Sequence, residues 1–234
     1  MTMRFYTQLL TFIFVLNIQL QAHTFESEIL TPAQIAEINT SGIEGAQSVI
    51  ADLDASEFLT NSETVTKLTT EIVDLLVAID SSDEAILKLS KAISESILSL
   101  SNDISLDLNA DDISDYVDIS LLIGAIAEGV AMGASHKFIE VSGDLNGDGR
   151  IDAKDISPEI KALIISGLTE SLSTTELKIA APDSLIGYSI QEGVSEGLKT
   201  ISTHLRTHND FSPNLVLPKI ETLNEDPTIV SPIH

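Results

Sequence analysis

From Gly143 to Ile156 the chain reads Gly-Asp-Leu-Asn-Gly-Asp-Gly-Arg-Ile-Asp-Ala-Lys-Asp-Ile. Counted from Asp144 as the first of twelve positions, oxygen-bearing side chains fall at the first (Asp144), third (Asn146), fifth (Asp148), ninth (Asp152) and twelfth (Asp155). Arg150, at the seventh, offers its backbone carbonyl. A calcium ion takes about 6–8 hard oxygen ligands at roughly 2.3–2.6 Å, and a tightly turning chain points the oxygens of alternate residues at one centre. Gly149, at the sixth position, has no Cβ to oppose the φ > 0 turn such a loop needs. Ile151, at the eighth, is apolar in a polar run and suits a residue that anchors the loop to a core. With no cation, the carboxylates of Asp144, Asp148, Asp152 and Asp155 would repel one another at close range. The plainer alternative is an acidic, glycine-rich turn that only caps a helix. The spacing predicts Ca²⁺ as the ion, held by Asp144, Asn146, Asp148, Arg150, Asp152 and Asp155.

This pattern resembles the calcium loop of an EF-hand. It is more closely similar to one calcium-binding repeat of a type I dockerin, in which Asp at the twelfth position and Gly before the first are usual. Gly143 and Asp155 match both features. Asp155 departs from the Glu of an ordinary EF-hand, and its shorter side chain would bind through one oxygen or through water. The likeness is confined to residues 143–156. It implies calcium binding. A dockerin carries two such repeats and docks on a cohesin; this chain shows one clear copy, which gives a cohesin partner little support. Such repeats usually accompany glycoside hydrolases, so the resemblance also raises a polysaccharide-degrading hydrolase, or its accessory subunit, as the alternative function.

Two further stretches have part of the same spacing. Asp52, Asp54 and Ser56 lead a run with Leu59 at the eighth position, Thr60 at the ninth and Glu63 at the twelfth, but Glu57 stands where glycine is wanted. Asp107, Asn109 and Asp111 lead a second, with Asp115 and Asp118 at the ninth and twelfth positions. There Asp112 replaces the glycine, a residue that visits the left-handed region more readily than most, and Ser114 replaces the apolar anchor. In so acidic a chain oxygen spacing arises easily, and a linker with helix caps explains each as well. The second stretch is the better placed, close to one dockerin repeat before Asp144.

The elements that must position these loops read as helices. Thr31-Pro32 supplies an N-cap followed by proline at the first helical position, and Ile35, Ile38, Gly42, Ala46 and Val49 follow on one face. A second run places Val65, Leu68, Ile72, Leu75, Leu76 and Ile79 at helical spacing. A third, after Ser81 and Ser82, has Ile86, Leu89, Ile93, Ile97 and Leu100. A fourth, with Ile119, Leu122, Ile123, Ile126 and Val130, leads into the calcium loop. The fifth leaves it at Ser157-Pro158-Glu159 and presents Ile160, Leu163, Ile164, Leu168 and Leu172. The last starts at Pro182-Asp183-Ser184 and carries Ile186, Ile190, Val194, Leu198, Ile201 and Leu205. Strand alternation is missing. The fold expected is all-α, a bundle of about six helices with the calcium loop between the fourth and fifth. Ile126-Ala-Glu128-Gly129-Val130 and Ile190-Gln-Glu192-Gly193-Val194 form a weak internal repeat. Glycine inside a helix costs about 1 kcal/mol against alanine, and close approach of two backbones is the reason expected for it here.

Residues 1–22 carry Arg4, then an apolar run from Leu9 to Leu16, then polar residues and Ala22, which reads as a secretory signal peptide cleaved after Ala22. The run is short for a membrane anchor and is followed by Asn17 and Gln19. The mature all-α domain is expected over 23–206 and an extended, proline-containing tail over 207–234. An exported chain with no cysteine has no disulfides to hold it, so packing and a bound ion must do so. A formal net charge of −24 argues against nucleic acid and anionic membrane surfaces as partners. His204 and His208, four apart, have the spacing of a Zn²⁺ pair but lack an evident third ligand. No nucleophile elbow, phosphate loop, Cys-His pair or HExxH motif is present, and no carboxylate pair stands out as general acid and base. The expected function is that of an exported, secreted or periplasmic calcium-binding helical protein, a non-catalytic interaction or structural module rather than an enzyme, with a protein partner that the sequence does not name.

Overall fold

The structure, a computed structural model, describes residues 29–142 and 158–207, and every regular element among them is a helix. In chain order these are α1 (Pro32–Ser41), α2 (Ile43–Ala51), α3 (Ala55–Phe58), α4 (Ser62–Ile79), α5 (Asp83–Ser101), α6 (Tyr116–Ser142), α7 (Pro158–Thr174) and α8 (Asp183–Thr207). The expected signal peptide and the tail beyond Thr207 lie outside the described residues.

The helix starts follow the local chemistry of the sequence. Thr31 accepts from the N–H of Gln34 at 3.4 Å while the Gln34 side chain accepts from the N–H of Thr31 at 2.8 Å, a reciprocal cap that satisfies two otherwise orphaned donors. Asn61 caps α4 through the N–H of Thr64 at 2.9 Å, and Ser82 caps α5 through Ala85 at 3.3 Å. The first helix read from the sequence is two. Ile35, Ile38, Ala46 and Val49 keep one periodicity, but the chain turns between them at Gly42, whose φ of 61° lies in the left-handed region. Short α3 then fills the link to α4.

Long α6 lies along both α4 and α8, while α5 packs on α7. The stripes that define these helices meet in one core. Val65, Leu68 and Ile72 of α4, Ile86, Ile93 and Ile97 of α5, Leu122, Ile126 and Val130 of α6, Ile164 of α7 and Val194 of α8 are all fully buried. Tyr116–Ser135 has the length and mean hydropathy, 1.6, of a membrane span, yet 67% of it is buried inside the fold. Neighbours on two sides account for its apolar composition.

The recurring glycines sit where α6 meets its neighbours. A Cβ on Gly129 would come within 2.6 Å of the Thr66 carbonyl oxygen on α4. One on Gly193 of α8 would collide with the Gly124 carbonyl oxygen and lie 2.9 Å from the Ala127 Cβ on α6. Both halves of the internal repeat thus mark backbone-to-backbone contact, which explains glycine at positions where helix propensity disfavours it. Polar ties cross the same seams. Thr66 donates to the Ala125 carbonyl at 3.3 Å, Ser120 and Ser189 are hydrogen-bonded at 2.6 Å, and Lys91 of α5 bonds Glu170 of α7 at 2.7 Å.

Candidate calcium sites

The six residues assigned to the principal loop, Asp144, Asn146, Asp148, Arg150, Asp152 and Asp155, lie outside the described residues. Their flanks are within them. Helix α6 ends at Ser142, two residues before the first position, and α7 starts at Pro158, three after the twelfth. Pro158 at the first turn of α7 is where a missing backbone N–H does no harm, because that donor has no intrahelical acceptor. Both flanking helices are anchored in the core, through Val130 and Ala134 on one side and Ile160 and Ile164 on the other.

The 107–118 stretch is described in full. Its backbone folds back on itself through two left-handed residues, Ala110 with φ of 59° and Asp112 with φ of 65°, the fourth and sixth positions of the loop. Asp112 therefore adopts the conformation its short polar side chain tolerates. Side-chain oxygens close the turn. Asp107 accepts from the N–H groups of Asp111 at 3.1 Å and Asp112 at 3.0 Å, and Asp111 accepts from Ile113 at 2.8 Å. Asp115 accepts from the N–H of Val117 at 2.7 Å at the start of α6. Asp118, fully buried, accepts from Leu108 at 2.7 Å, Asn109 at 3.3 Å and Asp115 at 2.9 Å. The stretch is thus an ordered turn ending in an N-terminal helix cap, and its carboxylates are directed onto its own N–H groups. Sequence spacing foresaw the turn at Asp112 but not the burial of Asp118, because period alone does not say which acidic residue of α6 faces inward.

The 52–63 stretch is different. Glu57, where the loop pattern wants glycine, lies in α3, and Asp54 caps that helix by accepting from the Ser56 N–H at 2.9 Å and its hydroxyl at 2.6 Å. Those two bonds hold the Asp54 carboxyl below the usual carboxylate range. Glu63 is paired with Lys67 along α4 at 3.0 Å. A helix cap and an intrahelical pair thus engage Asp54 and Glu63 in this stretch.

Among the described residues no group of three or more His, Cys, Asp or Glu side chains is placed to hold a metal ion. The side chain of His204, and all of His208, fall outside the described set. No family model, no curated protein and no solved structure matches this chain.

Proposed function

We propose that this chain is an exported calcium-binding helical module that acts through interaction or structure, not catalysis. Ca²⁺ is held by Asp144, Asn146, Asp148, Asp152, Asp155 and the carbonyl of Arg150. The observation that carries the reading is the register of the helices around that loop. Helix α6, described to Ser142, and α7, described from Pro158, are both packed in one core, which supports a ligand run that links two core helices. An ion there would neutralise the four carboxylates of the run and tie two core helices together. The 107–118 turn is the second candidate and the weaker one. Its carboxylates already accept backbone N–H bonds, which partly satisfy the negative charge a cation would otherwise neutralise.

Calorimetric titration of the mature chain with calcium tests this. One strong site is expected, lost in Asp148→Ala and kept in Asp107→Ala; a strong site that survives Asp148→Ala would place the ion elsewhere. Export is tested separately, by N-terminal sequencing of protein recovered outside the cytoplasm. His23 is expected as the first residue, and recovery of Met1 would refute cleavage after Ala22.

A further inference from the structure

We propose that the tail beyond α8 returns across one end of the bundle and lays its apolar run, Leu215-Val216-Leu217, in the cleft where α4 turns into α5. The direction of the helices brings tail and cleft to the same end. On α6, Gly129 lies against Thr66 and Thr69 of α4, and Gly133 against Thr70 and Val73. On α8, Gly193 lies against Gly124 and Ala127 of α6, and Gly197 against Glu128 and Ala131. Residue numbers rise together on all three, so α4, α6 and α8 run parallel. Carried on to the helix ends, that register sets Thr207 level with Ile79, the last residue of α4.

The cleft there has a volume of about 330 Å³ and is lined by Ile43, Leu76, Ile79 and Leu89 beside the turn at Gly42. Ile79 is 51% exposed, a large apolar side chain left open to water at the edge of an acidic surface. The rim carries Asp80 and Glu84, the latter paired with Lys88 at 2.6 Å, and exposed Asp83 adjoins it. Residues 208–234, outside the described ones, follow directly on α8. Leu215 lies eight residues after Thr207. At about 3.3 Å per residue an extended chain covers roughly 26 Å over that stretch. Crossing from α8 over α6 to α4 takes two interhelical steps, about 16–20 Å, so the run reaches the cleft. Leu217 precedes Pro218, a position that favours extended backbone. Charge matches as well: Lys219 is the only lysine or arginine after Arg206, and it stands two residues beyond the apolar run, opposite an acidic rim. Tethering fixes the occupant. A short linker gives an effective concentration on the order of millimolar, which favours the chain's own tail over that of a second copy.

The chain has no cysteine, which allows the contact to be trapped as a disulfide. In the whole mature chain, Ile79→Cys is combined in turn with Leu215→Cys and with Leu217→Cys; closure needs Cα atoms within about 7 Å. At least one of these pairs is expected to close within a single chain under mild oxidation. It should do so about tenfold faster than the same tail cysteine paired with Ile113→Cys, an exposed position just before α6 and so at the opposite end. Trypsin gives a second readout, because Lys219 is its one site after Arg206. Ile79→Gln, a polar change at a half-exposed position, is expected to speed cleavage after Lys219 several-fold and to leave cleavage after Lys91 of α5 unchanged. If neither pair closes faster than its Ile113 control, or the disulfides form only between chains, the tail does not occupy this cleft and the proposal is overturned. Cleavage after Lys219 at the wild-type rate in Ile79→Gln would overturn it equally.

Discussion

Asp118 and Ala110 hold the 107–118 turn in opposite ways. Asp118 satisfies three backbone N–H groups from a fully buried position, so Asp118→Ala leaves them without their acceptor and should lower stability by about 1–3 kcal/mol. Ala110 is exposed and sits at φ of 59° with no side-chain hydrogen bond to offset the strain. Removing its Cβ should relieve more than glycine's extra chain entropy costs, so Ala110→Gly should raise stability by about 0.5–1 kcal/mol. Urea unfolding midpoints of the two variants check both signs; a stabilising Asp118→Ala would mean that the buried carboxylate is a burden on the folded state. The turn at Asp112 was legible in the sequence because Asp is one of few side chains that accept the left-handed region. The matching turn at Ala110 was not, since nothing about alanine announces it and only the closure by Asp107 and Asp118 imposes it.

At the scale of helices, the stripes of Val65–Leu68–Ile72, Ile86–Leu89–Ile93 and Ile119–Leu122–Ile126 were readable because each has the helical period and each buries that face. The break at Gly42 was hidden for the same reason: apolar residues continue in phase on both sides of it. Glycines inside helices divide into those that allow contact and those that do not, and only the structure separates them. Gly193 abuts the Gly124 carbonyl, whereas Gly187, on the same helix, has nothing within 4 Å of an added Cβ. Gly193→Ala should therefore force α6 and α8 apart and cost about 1–3 kcal/mol. Gly187→Ala should stabilise by about 0.5–1 kcal/mol through helix propensity alone. Denaturation of the pair by urea, compared at constant m-value, would expose the error if both alanines proved equally harmless.

For the molecule as a whole, 36 acidic residues face 12 basic ones with no disulfide to counter their repulsion. The few ion pairs described, such as Glu84–Lys88 at 2.6 Å and Glu196–Lys199 at 3.0 Å, are exposed and contribute little. Stability must then come from the helical core and, on the present account, from an ion at the α6–α7 junction. The sequence supports that proposal through the order of oxygens over 144–155, the order calcium coordination asks of a short run, and those residues lie outside the described ones. A protein partner, by contrast, could not be read from the sequence, since recognition surfaces leave no comparable period. Binding to the folded form alone stabilises it by about 2.7 kcal/mol when free calcium is one hundred times Kd. For a domain of this size that is a shift of several degrees, and Mg²⁺ should give less because it keeps its water and demands tighter octahedral geometry.

The most direct measurement is a set of thermal melts of the wild type, Asp148→Ala and Asp210→Ala, each in calcium and in chelator after verified removal of bound ions. The account predicts that calcium raises the melting temperature of the wild type and of Asp210→Ala by several degrees and leaves that of Asp148→Ala unmoved. A wild-type melt indifferent to calcium and chelator alike would contradict it, and residues 144–155 would then be only an acidic turn between two helices.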